Sequence, residues 1–422
     1  MGLNDAAWEN LFAKYDILSE VKNRGKYEIS ARQIKEFREP RLMTKFDHMV
    51  SLPQLFKDNN LSILPITRGD YVISSFSAYK ELTNPSAEVQ KISIPSHLQS
   101  LMPQYITSEA IALNCAHACG ILDDFLEDEE LISTVSGRMS SGMFGFDIQT
   151  ENGLTNINVT NSQIEIDAAY EGVNYLSLIE AKKALPDDFL VRQLYYPLRT
   201  WNDRVTKPVK SVFLVFSNGT FNLYEYKFEN LRNYNSLYLV KQKNYVIATE
   251  ISLCDILNLL QDPVMREPEI SFPQANSMAR IINLIELLAE KSMTKQEITS
   301  NYGFDERQTN YYTDAGRYLN LIEKNSDSNH NIIFSLTSVG RHIMQLGYKE
   351  RQLEIASLIL SHKAFRETLE WHLRYGEMPN THEIVKIMKC SNLYQVEAES
   401  TYIRRASTIS GWVNWILSLI EE

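Results

Sequence analysis

The sequence predicts a mixed α+β (mixed α/β) fold, in which helices flank a central mixed sheet and a mostly helical block follows. Helical and β-like patterns alternate between residues 101 and 270, whereas residues 271–422 show mainly the helical period. The dipeptide Asn218-Gly219 separates two apolar runs, which is typical of a β-hairpin. The 422 residues are 44% hydrophobic and 23% charged, enough for about two to four domains. We therefore expect three blocks, at residues 1–100, 101–270 and 271–422.

The composition argues against several classes of protein. The sequence has no uninterrupted run of about 18 apolar residues, so we expect no membrane-spanning helix and no membrane partner. Its first residues lack a basic region followed by an apolar core, which argues against a secretory signal. Four cysteines fit a reducing, cytoplasmic location better than a disulfide scaffold. The net charge of −11 argues against a protein that coats nucleic acid indiscriminately.

The N-terminal block combines a helix, a hairpin and a local excess of basic residues. A helix is predicted over Ala6–Tyr15, and the runs Leu61–Ile66 and Tyr71–Phe76 predict a hairpin. Residues 21–46 hold eight basic and three acidic side chains. Two of the basic residues, Arg41 and Lys45, are expected on loops or strand edges, where they would contact phosphate groups. An ordinary solvated surface explains the charge alone equally well.

The central block, residues 101–270, is predicted to contain alternating helices and strands. Thr107 or Ser108 is expected to cap a helix that runs to Phe125. The acidic run from Asp123 to Glu130 is interpreted as a solvated helix end. Cys115 and Cys119 are interpreted as buried helix residues rather than metal ligands. The other predicted elements are strands at Gln163–Tyr170, Tyr175–Lys182, Val209–Phe216 and Thr220–Phe228, and a helix at Asp187–Trp201.

Two carboxylates and a lysine are expected to meet on neighbouring strands. Asp167 lies on the first strand, and Glu180 and Lys182 share one face of the second. If the strands pair as a hairpin, the two carboxylates can bind a divalent cation, Mg²⁺ or Mn²⁺ rather than Zn²⁺. The cation lowers the pKa of a bound water, and the lysine either stabilises the pentacovalent phosphorane or orients the attacking water, so this set can cut a phosphodiester. An exposed ion pair is the alternative for Glu180 and Lys182.

This pattern resembles the PD-(D/E)XK nuclease superfamily and, more narrowly, the type II restriction endonucleases that carry a winged-helix domain. The resemblance covers residues 105–230 and includes the helix with Gln193 and the strand Val212–Phe216. Ile166 stands where the name of the superfamily has proline. The resemblance implies a central mixed sheet and Mg²⁺-dependent cleavage of double-stranded DNA, with Mn²⁺ as a possible substitute. It also implies a cognate DNA methyltransferase as functional partner, and we expect a homodimer during cutting.

By position, Asp167, Glu180 and Lys182 match the three core residues of the superfamily. Glu109 matches a place where some members supply an extra metal-binding acid. Gln193 matches a polar residue that some members place after the lysine. A first-turn acid favoured by the helix dipole is the alternative for Glu109, and an ordinary surface position is the alternative for Gln193.

Residues 276–346 predict three helices, a hairpin and a last helix, an order similar to the winged helix of restriction endonucleases. The first helix covers Met278–Lys291, Thr294 caps the second and Asp305 caps the third. The strands Leu321–Lys324 and Ile332–Leu336 would form the wing. The third helix is expected to enter the major groove, although a structural or dimerisation module is the alternative. Its DNA-contacting residues are predicted to be Arg307, Gln308, Asn310, Tyr311 and Arg317.

Further phosphate contacts are predicted at two other places. Arg192 and Arg199 share a face of the predicted central helix, and Arg404 and Arg405 lie close to hydroxyl residues near the C-terminal end. A solvated helix face is the alternative for Arg192 and Arg199.

Two competing hypotheses remain for the whole chain. One is a non-catalytic DNA-binding regulator with a degenerate nuclease fold, and the other is a repair or junction nuclease.

Overall fold

The computed structural model describes residues 2–82, 89–95, 97–98, 100–101, 106–183, 186–247, 251–302, 306–326 and 331–420. The chain divides into two compact units. Residues 1–90, 108–216 and 221–245 form the first unit, and residues 91–107, 217–220 and 246–422 form the second. The predicted mixed α+β class with a central mixed sheet is confirmed.

The first unit holds the first eight α-helices of the described chain and most of its strands. The helices are α1 (Leu3–Tyr15), α2 (Ile17–Arg24), α3 (Ala31–Ile34), α4 (Pro40–Met43), α5 (Gln54–Asp58), α6 (Glu109–Ala118), α7 (Ile121–Leu126) and α8 (Arg192–Asn202), with a 3₁₀ turn at Met49–Ser51. The strands are β1 (Tyr27–Ser30), β2 (Ser62–Pro65), β3 (Asp70–Ser74), β4 (Tyr79–Glu81), β5 (Val89–Lys91), β6 (Ile132–Ser140), β7 (Met143–Thr150), β8 (Gly153–Thr160), β9 (Gln163–Glu171), β10 (Leu176–Lys182), β11 (Asp188–Leu190), β12 (Val209–Ser217), β13 (Thr220–Phe228) and β14 (Leu237–Val246).

The central sheet has the strand order β5-β14-β13-β12-β10-β9-β6 among the described residues. Strand β10 runs antiparallel to β9 and parallel to β12. Helix α8 lies in the connection between these two parallel strands, because a parallel pair needs a long crossover. The strands predicted from alternation and from the Asn218-Gly219 turn are therefore confirmed.

Helix α8 packs through aromatic rings against β7, which pairs with β8 in a separate two-stranded sheet. Tyr195 and Tyr196 are fully buried, and their rings meet those of Phe144 and Phe146 on β7 at centroid distances of 5.2–6.4 Å. Phe146 also stacks on Tyr234, with the ring centroids 5.5 Å apart. Such buried aromatic pairs fix the helix against β7, each contributing about 0.5–1.5 kcal/mol beyond its buried area. Helix α8 is thereby held in place by its contacts with β7.

Two predicted helices have different bounds in the structure. The helix expected from Ser108 to Phe125 is broken into α6 and α7 at Gly120, whose φ of 74° only glycine adopts without strain. Ser108 caps α6 as predicted, since its Oγ accepts a 3.2 Å hydrogen bond from the Ile111 amide. The helix expected from Asp187 begins at Arg192 instead. The apolar residues before it form β11, which pairs with β4, with Leu190 opposite Tyr79.

The N-terminal part of the first unit forms its own small sheet. The order is β1-β3-β2, and the predicted hairpin is the antiparallel pair of β2 and β3. The predicted helix over Ala6–Tyr15 is confirmed as α1, with Trp8 and Leu11 fully buried. Lys45 follows α4 outside any helix or strand, as expected, whereas Arg41 lies within α4 and not on a loop.

The second unit is mostly helical, as predicted for residues 271–422. Its elements are helices α9 (Leu253–Leu259), α10 (Met278–Glu290), α11 (Lys295–Tyr302), α12 (Glu306–Tyr318), α13 (Ser338–Gln345), α14 (Tyr348–Leu360), α15 (Lys363–Tyr375), α16 (Thr381–Lys389) and α17 (Glu399–Ser418), and strands β15 (Met293–Thr294), β16 (Ile322–Ser326) and β17 (Ile332–Leu336). The three strands form a small sheet in the order β15-β17-β16. Within the described ranges of the whole chain, no helix is both long and apolar enough to cross a membrane.

Local capping signals explain where α11 begins. The Thr294 hydroxyl accepts a 3.2 Å hydrogen bond from the Glu297 amide, and the Glu297 carboxylate accepts a 2.8 Å bond from the Thr294 amide. This reciprocal pair is a capping box and confirms the predicted cap. Asp305, the predicted cap of the next helix, and residues 327–330 of the predicted wing tip lie outside the described residues.

Candidate active site

The hairpin of β9 and β10 brings Asp167 and Glu180 together. Ile179 lies opposite Ala168, so the next residues along the two strands are Glu180 and Asp167. Side chains at directly opposite positions of an antiparallel pair point to the same face. The Ala181 amide donates a 2.8 Å hydrogen bond to Oδ2 of Asp167, which fixes this carboxylate against β10. The hairpin arrangement on which the predicted site depends is therefore confirmed.

Glu180 lies at the centre of the polar contacts of the site. Its side chain is buried, with 8% of the residue surface exposed. Oε1 of Glu180 lies 2.5 Å from Nζ of Lys182 and accepts a 2.6 Å hydrogen bond from Nε2 of Gln193. The glutamate therefore connects its own strand to the first turn of α8. These contacts place Gln193 in the site, and not at an ordinary surface position.

Burial and neighbouring charges shift the pKa values of both partners. Burial raises the pKa of Glu180 to about 7, and the charges of Asp167 and Asp47 also raise it, while Lys182 opposes the shift. For Lys182, burial alone would lower the pKa. The charges of Glu180, Glu109 and Asp167 outweigh burial and raise the pKa of Lys182 above its ordinary value. Lys182 consequently remains protonated at neutral pH.

Glu109 belongs to the same electrostatic neighbourhood. It is the first residue of α6 and is half-buried. Burial raises the pKa of Glu109, Asp167 raises it further, and Lys182 and Lys45 lower it. The helix dipole also favours an acid in the first turn of α6. The alternative that Glu109 is such a first-turn acid is therefore compatible with its electrostatic interaction with Asp167.

A small cavity lies behind Glu180, between the sheet and α8. Its volume is about 10 Å³, and Gln193 and Ser211 line it. Oε1 of Gln193 and Oγ of Ser211 are buried and have no hydrogen-bond partner among the described residues. A cavity needs about 10–15 Å³ of such space to hold one water molecule, so this cavity is at the lower limit for a single water.

The donor set fits Mg²⁺ or Mn²⁺. Asp167 and Glu180 offer hard carboxylate oxygens, and Mg²⁺ is usually held in proteins by one or two carboxylates, with waters and substrate phosphates completing its shell. The part of the chain that the structure describes contains no cluster of three or more His, Cys, Asp or Glu side chains arranged around a metal position. Asp167 and Glu180 are the two carboxylates that would hold such a cation.

Asp128 holds the turn between β9 and β10 and was missed in the sequence. Its carboxylate accepts hydrogen bonds of 3.0 Å from the Asn174 amide and 2.8 Å from the Tyr175 amide. Gly172 has no Cβ, which would lie 2.3 Å from Oδ2 of Asp128. Asp128 is 8% exposed, so the interpretation of this acidic run as a solvated helix end is wrong for this residue. The acidic run gives no local signal that one member is buried.

The segment around Asp47 was also missed as part of the site. The charge of Asp47 raises the pKa of Glu180, and the charge of Lys45 lowers the pKa of Glu109, so both side chains contribute to the electrostatics of the acidic group. The backbone oxygen of Asp47 accepts a 3.0 Å hydrogen bond from the Leu190 amide. No motif links residues 45–47 to the predicted centre, because they are far from it in the sequence.

Arg192 and Arg199 both lie on α8, which continues through Pro197. The Arg199 guanidinium donates hydrogen bonds of 2.9 and 2.8 Å to the backbone oxygens of Gly145 and Leu231. Arg199 therefore links α8 to β7 and to the connection between β13 and β14. The Arg192 guanidinium lies over the ring of Tyr196 at 5.6 Å, and its Nε has no hydrogen-bond partner among the described residues. Phosphate contact by these two arginines stays a prediction.

On α12 the predicted DNA-contacting residues differ in exposure. Arg307 and Asn310 are exposed, and Gln308 is half-buried. Nε of Arg307 donates a 2.6 Å hydrogen bond to the hydroxyl of half-buried Tyr311, and Arg317 forms a 2.9 Å ion pair with Asp314 on the same helix. Base contacts by these side chains stay a prediction. Tyr312 and Tyr318 on the same helix are buried and belong to the hydrophobic core.

Helix α17 carries the two C-terminal arginines. Arg404 is exposed, and Arg405 is half-buried with Nε and Nη1 lacking a hydrogen-bond partner among the described residues. Burial lowers the pKa of Arg405, Arg404 lowers it further, and Tyr311 raises it. Arg405 and Tyr311 are therefore electrostatic neighbours within the second unit. Trp412 and Ile416 are buried on the same helix.

Comparison with known proteins gives three family matches, each to a family of unknown function. Residues 5–73 match "Domain of unknown function (DUF6996)", residues 74–246 match "Domain of unknown function (DUF6997)" and residues 280–421 match "Domain of unknown function (DUF7226)". No curated protein and no solved structure matches the chain. Asp167, Glu180 and Lys182 lie in the second matched segment, whereas Lys45 and Asp47 lie in the first.

Proposed function

We propose that this chain is a sequence-specific endonuclease of the type II restriction class, which hydrolyses double-stranded DNA with Mg²⁺. The observation that carries the proposal is the meeting of Asp167, Glu180 and Lys182 on one hairpin, with Glu180 buried and in contact with Lys182. Buried ionised groups are costly to fold, so a carboxylate cluster at this place is better explained by chemistry than by stability.

The topology supports the same class of enzyme. The described order is helices α6 and α7, strands β6, β9 and β10, helix α8 and strand β12, with β7 and β8 forming a separate two-stranded sheet. In this order β6, β9 and β10 are successive antiparallel neighbours, and β12 returns parallel to β10. That is the arrangement that the resemblance to the PD-(D/E)XK superfamily implies. A fold can host several functions, so the proposal depends on the site and not on the topology.

Each residue of the site has a role in phosphodiester hydrolysis. Asp167 and Glu180 would hold the cation, which supplies positive charge to the phosphate oxygens and makes water more acidic. Protonated Lys182 stabilises negative charge that develops on the phosphate. Gln193 orients Glu180 through their 2.6 Å hydrogen bond. Glu109, which interacts electrostatically with Lys182 and Asp167, would add a further negative charge.

The second unit supports a DNA-recognition role. Its order α10, β15, α11, α12, β16, β17 is the order of a winged helix, and α12 follows α11 where the recognition helix would be. The proposed partner is double-stranded DNA, with a cognate DNA methyltransferase that protects the same sites. Two copies of the chain would act together when both strands are cut.

A plasmid digestion tests the proposal. The wild-type protein is incubated with plasmid DNA in Mg²⁺ or in EDTA, beside Asp167→Ala and Glu180→Ala. Glu225 and Lys227 on β13 form another Glu-x-Lys pair, so Glu225→Gln and Lys227→Ala are the matched controls. We expect discrete fragments in Mg²⁺ from the wild type and both controls, and no cutting by the two site variants.

Other outcomes separate the competing functions. Intact plasmid in Mg²⁺ and in Mn²⁺, together with tight DNA binding, would indicate a non-catalytic regulator. Cutting of branched or damaged DNA, with linear duplexes untouched, would indicate a repair or junction nuclease. Near-normal cutting by Asp167→Ala would contradict the assigned centre.

A further inference from the structure

The segment of residues 45–49 is fixed beside the candidate active site by its backbone. The hydroxyl of Tyr79 donates a 2.9 Å hydrogen bond to the Phe46 carbonyl. The Asp188 carboxylate accepts a 3.0 Å bond from the Met49 amide, and Nδ1 of His48 lies 2.7 Å from the Asp188 carbonyl. Phe46 itself is 4% exposed. These contacts hold the segment against β4 and β11.

Two further hydrogen bonds link the segment, through β11 and α8, to the Glu180 carboxylate. The Leu190 amide donates a 3.0 Å hydrogen bond to the carbonyl of Asp47. Leu190 ends β11, and α8 begins two residues later at Arg192. Gln193 in this first turn donates the 2.6 Å bond to Glu180. Asp47 and Glu180 are therefore linked through the end of β11 and the first turn of α8.

Two charged side chains of this segment influence the site electrostatically. Asp47 interacts electrostatically with Glu180, and Lys45 interacts with Glu109. The side chain of Lys45 is 59% exposed, and its Nζ lies 3.9 Å from Oδ2 of Asp47, at the limit of an ion pair. Such an exposed pair is weak, so the ammonium can move to a stronger anionic partner at small cost.

We propose that Lys45 contacts the phosphodiester backbone of DNA at the candidate active site, next to the bond that is cut. The inference rests on the proposed nuclease function and adds a substrate-binding residue from the N-terminal segment. Lys182 is already paired with buried Glu180. The acidic group of Asp167, Glu180 and Glu109 repels DNA, and the exposed ammonium of Lys45 offsets this repulsion at the rim.

The test measures DNA binding and cleavage separately. Binding of a fluorescent duplex is followed with Ca²⁺ in place of Mg²⁺ over a series of salt concentrations, and cleavage is followed in Mg²⁺ at saturating DNA. Lys45→Ala should lower the slope of log affinity against log salt by about one, with a loss of affinity below about tenfold. Its cleavage rate should fall by more than about tenfold, because the contact positions the phosphate that reacts.

Lys45→Arg and Lys227→Ala complete the design. Arginine keeps the charge and should retain most of the binding slope, whereas Lys227 is exposed on β13 and its loss should change neither measurement. A wild-type salt slope or a wild-type cleavage rate for Lys45→Ala would overturn the inference. A wild-type protein that binds DNA without cutting it would instead contradict the nuclease function, and the salt slope would still decide the phosphate contact.

Discussion

Nε2 of Gln193 lies 2.6 Å from Oε1 of Glu180, and this hydrogen bond joins α8 to the carboxylate at the centre of the candidate site. The helix is held by the buried rings of Tyr195 and Tyr196, so Gln193 is presented from a rigid support. A hydrogen bond from a rigid neighbour selects one orientation of a metal-binding carboxylate. We therefore propose that Gln193 is a positioning residue.

We expect Gln193→Ala to lower the cleavage rate by about 10–100-fold, the usual effect of removing a residue that orients a metal ligand. Glu180 would lose one donor and rotate more freely, so the affinity for Mn²⁺, measured by calorimetry, should fall as well. Asn202→Ala, at the exposed end of the same helix, is the control. Equal Mn²⁺ affinity and equal rates for Gln193→Ala and Asn202→Ala would refute this role.

Glu180 also gives the protein a pH-dependent stability. Burial raises the pKa of Glu180 to about 7, whereas a glutamate in the unfolded chain titrates near 4.3. The folded state therefore binds this proton more tightly than the unfolded chain. The contribution of Glu180 to stability is largest below pH ~4.3 and is lost as the pH rises to about 7.

Glu180→Gln should remove this pH dependence. We expect the melting temperature of the wild type, measured in EDTA, to fall more between about pH 5 and pH 8 than that of Glu180→Gln. Other titrating groups are shared by both proteins and cancel in the comparison. Parallel pH profiles for the two proteins would show that Glu180 titrates in the native state as it does in the unfolded chain.

Asp128 should stabilise the turn that aligns the two catalytic strands. Burial alone would raise the pKa of Asp128, but hydrogen bonds from the amides of Asn174, Tyr175 and Glu129 outweigh burial and lower it. We expect Asp128→Asn to lose about 1–3 kcal/mol of unfolding free energy at neutral pH, because an amide nitrogen would face backbone donors. Denaturant unfolding measures this loss, and exposed Glu129→Gln is the control.

The effect of Asp128→Asn should depend on pH in a defined direction. The lowered pKa means that the stabilisation is complete above the ordinary carboxyl value of about 4 and disappears as the pH falls below it. The difference between wild type and variant should consequently shrink in acid. A difference that stays constant down to about pH 2 would contradict the charge-based explanation.

The parts of the site that the sequence revealed are those with local signals. Alternation of apolar and polar residues from Ile164 to Tyr170, followed by a turn and a second strand, predicted the hairpin and hence the meeting of Asp167 and Glu180. The contributions of Asp128 and Asp47 come from contacts between distant segments, which no periodicity encodes. The start of α8 was misplaced because an apolar pair, Phe189 and Leu190, suits either a helix or a buried strand, and pairing with β4 decides the outcome.

Base recognition is predicted to depend on α12. Arg307→Ala should reduce affinity for the cognate site by about 1–3 kcal/mol and relax specificity, since an arginine that reads a base discriminates against the wrong one. Arg404→Ala should weaken cognate and random DNA alike and flatten the salt dependence. Fluorescence anisotropy with both duplexes separates the two effects, with exposed Lys386→Ala as the control. Equal losses on both duplexes for Arg307→Ala would reassign this residue to the DNA backbone.

The last prediction concerns assembly. One set of Asp167, Glu180 and Lys182 can act on one phosphate at a time, and the other Glu-x-Lys pairs of the sequence lack a partner aspartate on a preceding apolar strand. A double-strand break therefore requires two chains or two successive events. A twofold dimer would present its two sites in the symmetry of a palindromic target. We expect sedimentation of the protein–DNA complex to give two chains per duplex and cleavage to rise more than linearly with protein concentration. A strictly monomeric 1:1 complex that cuts both strands, with a rate first order in protein, would show that one chain visits the two strands in turn.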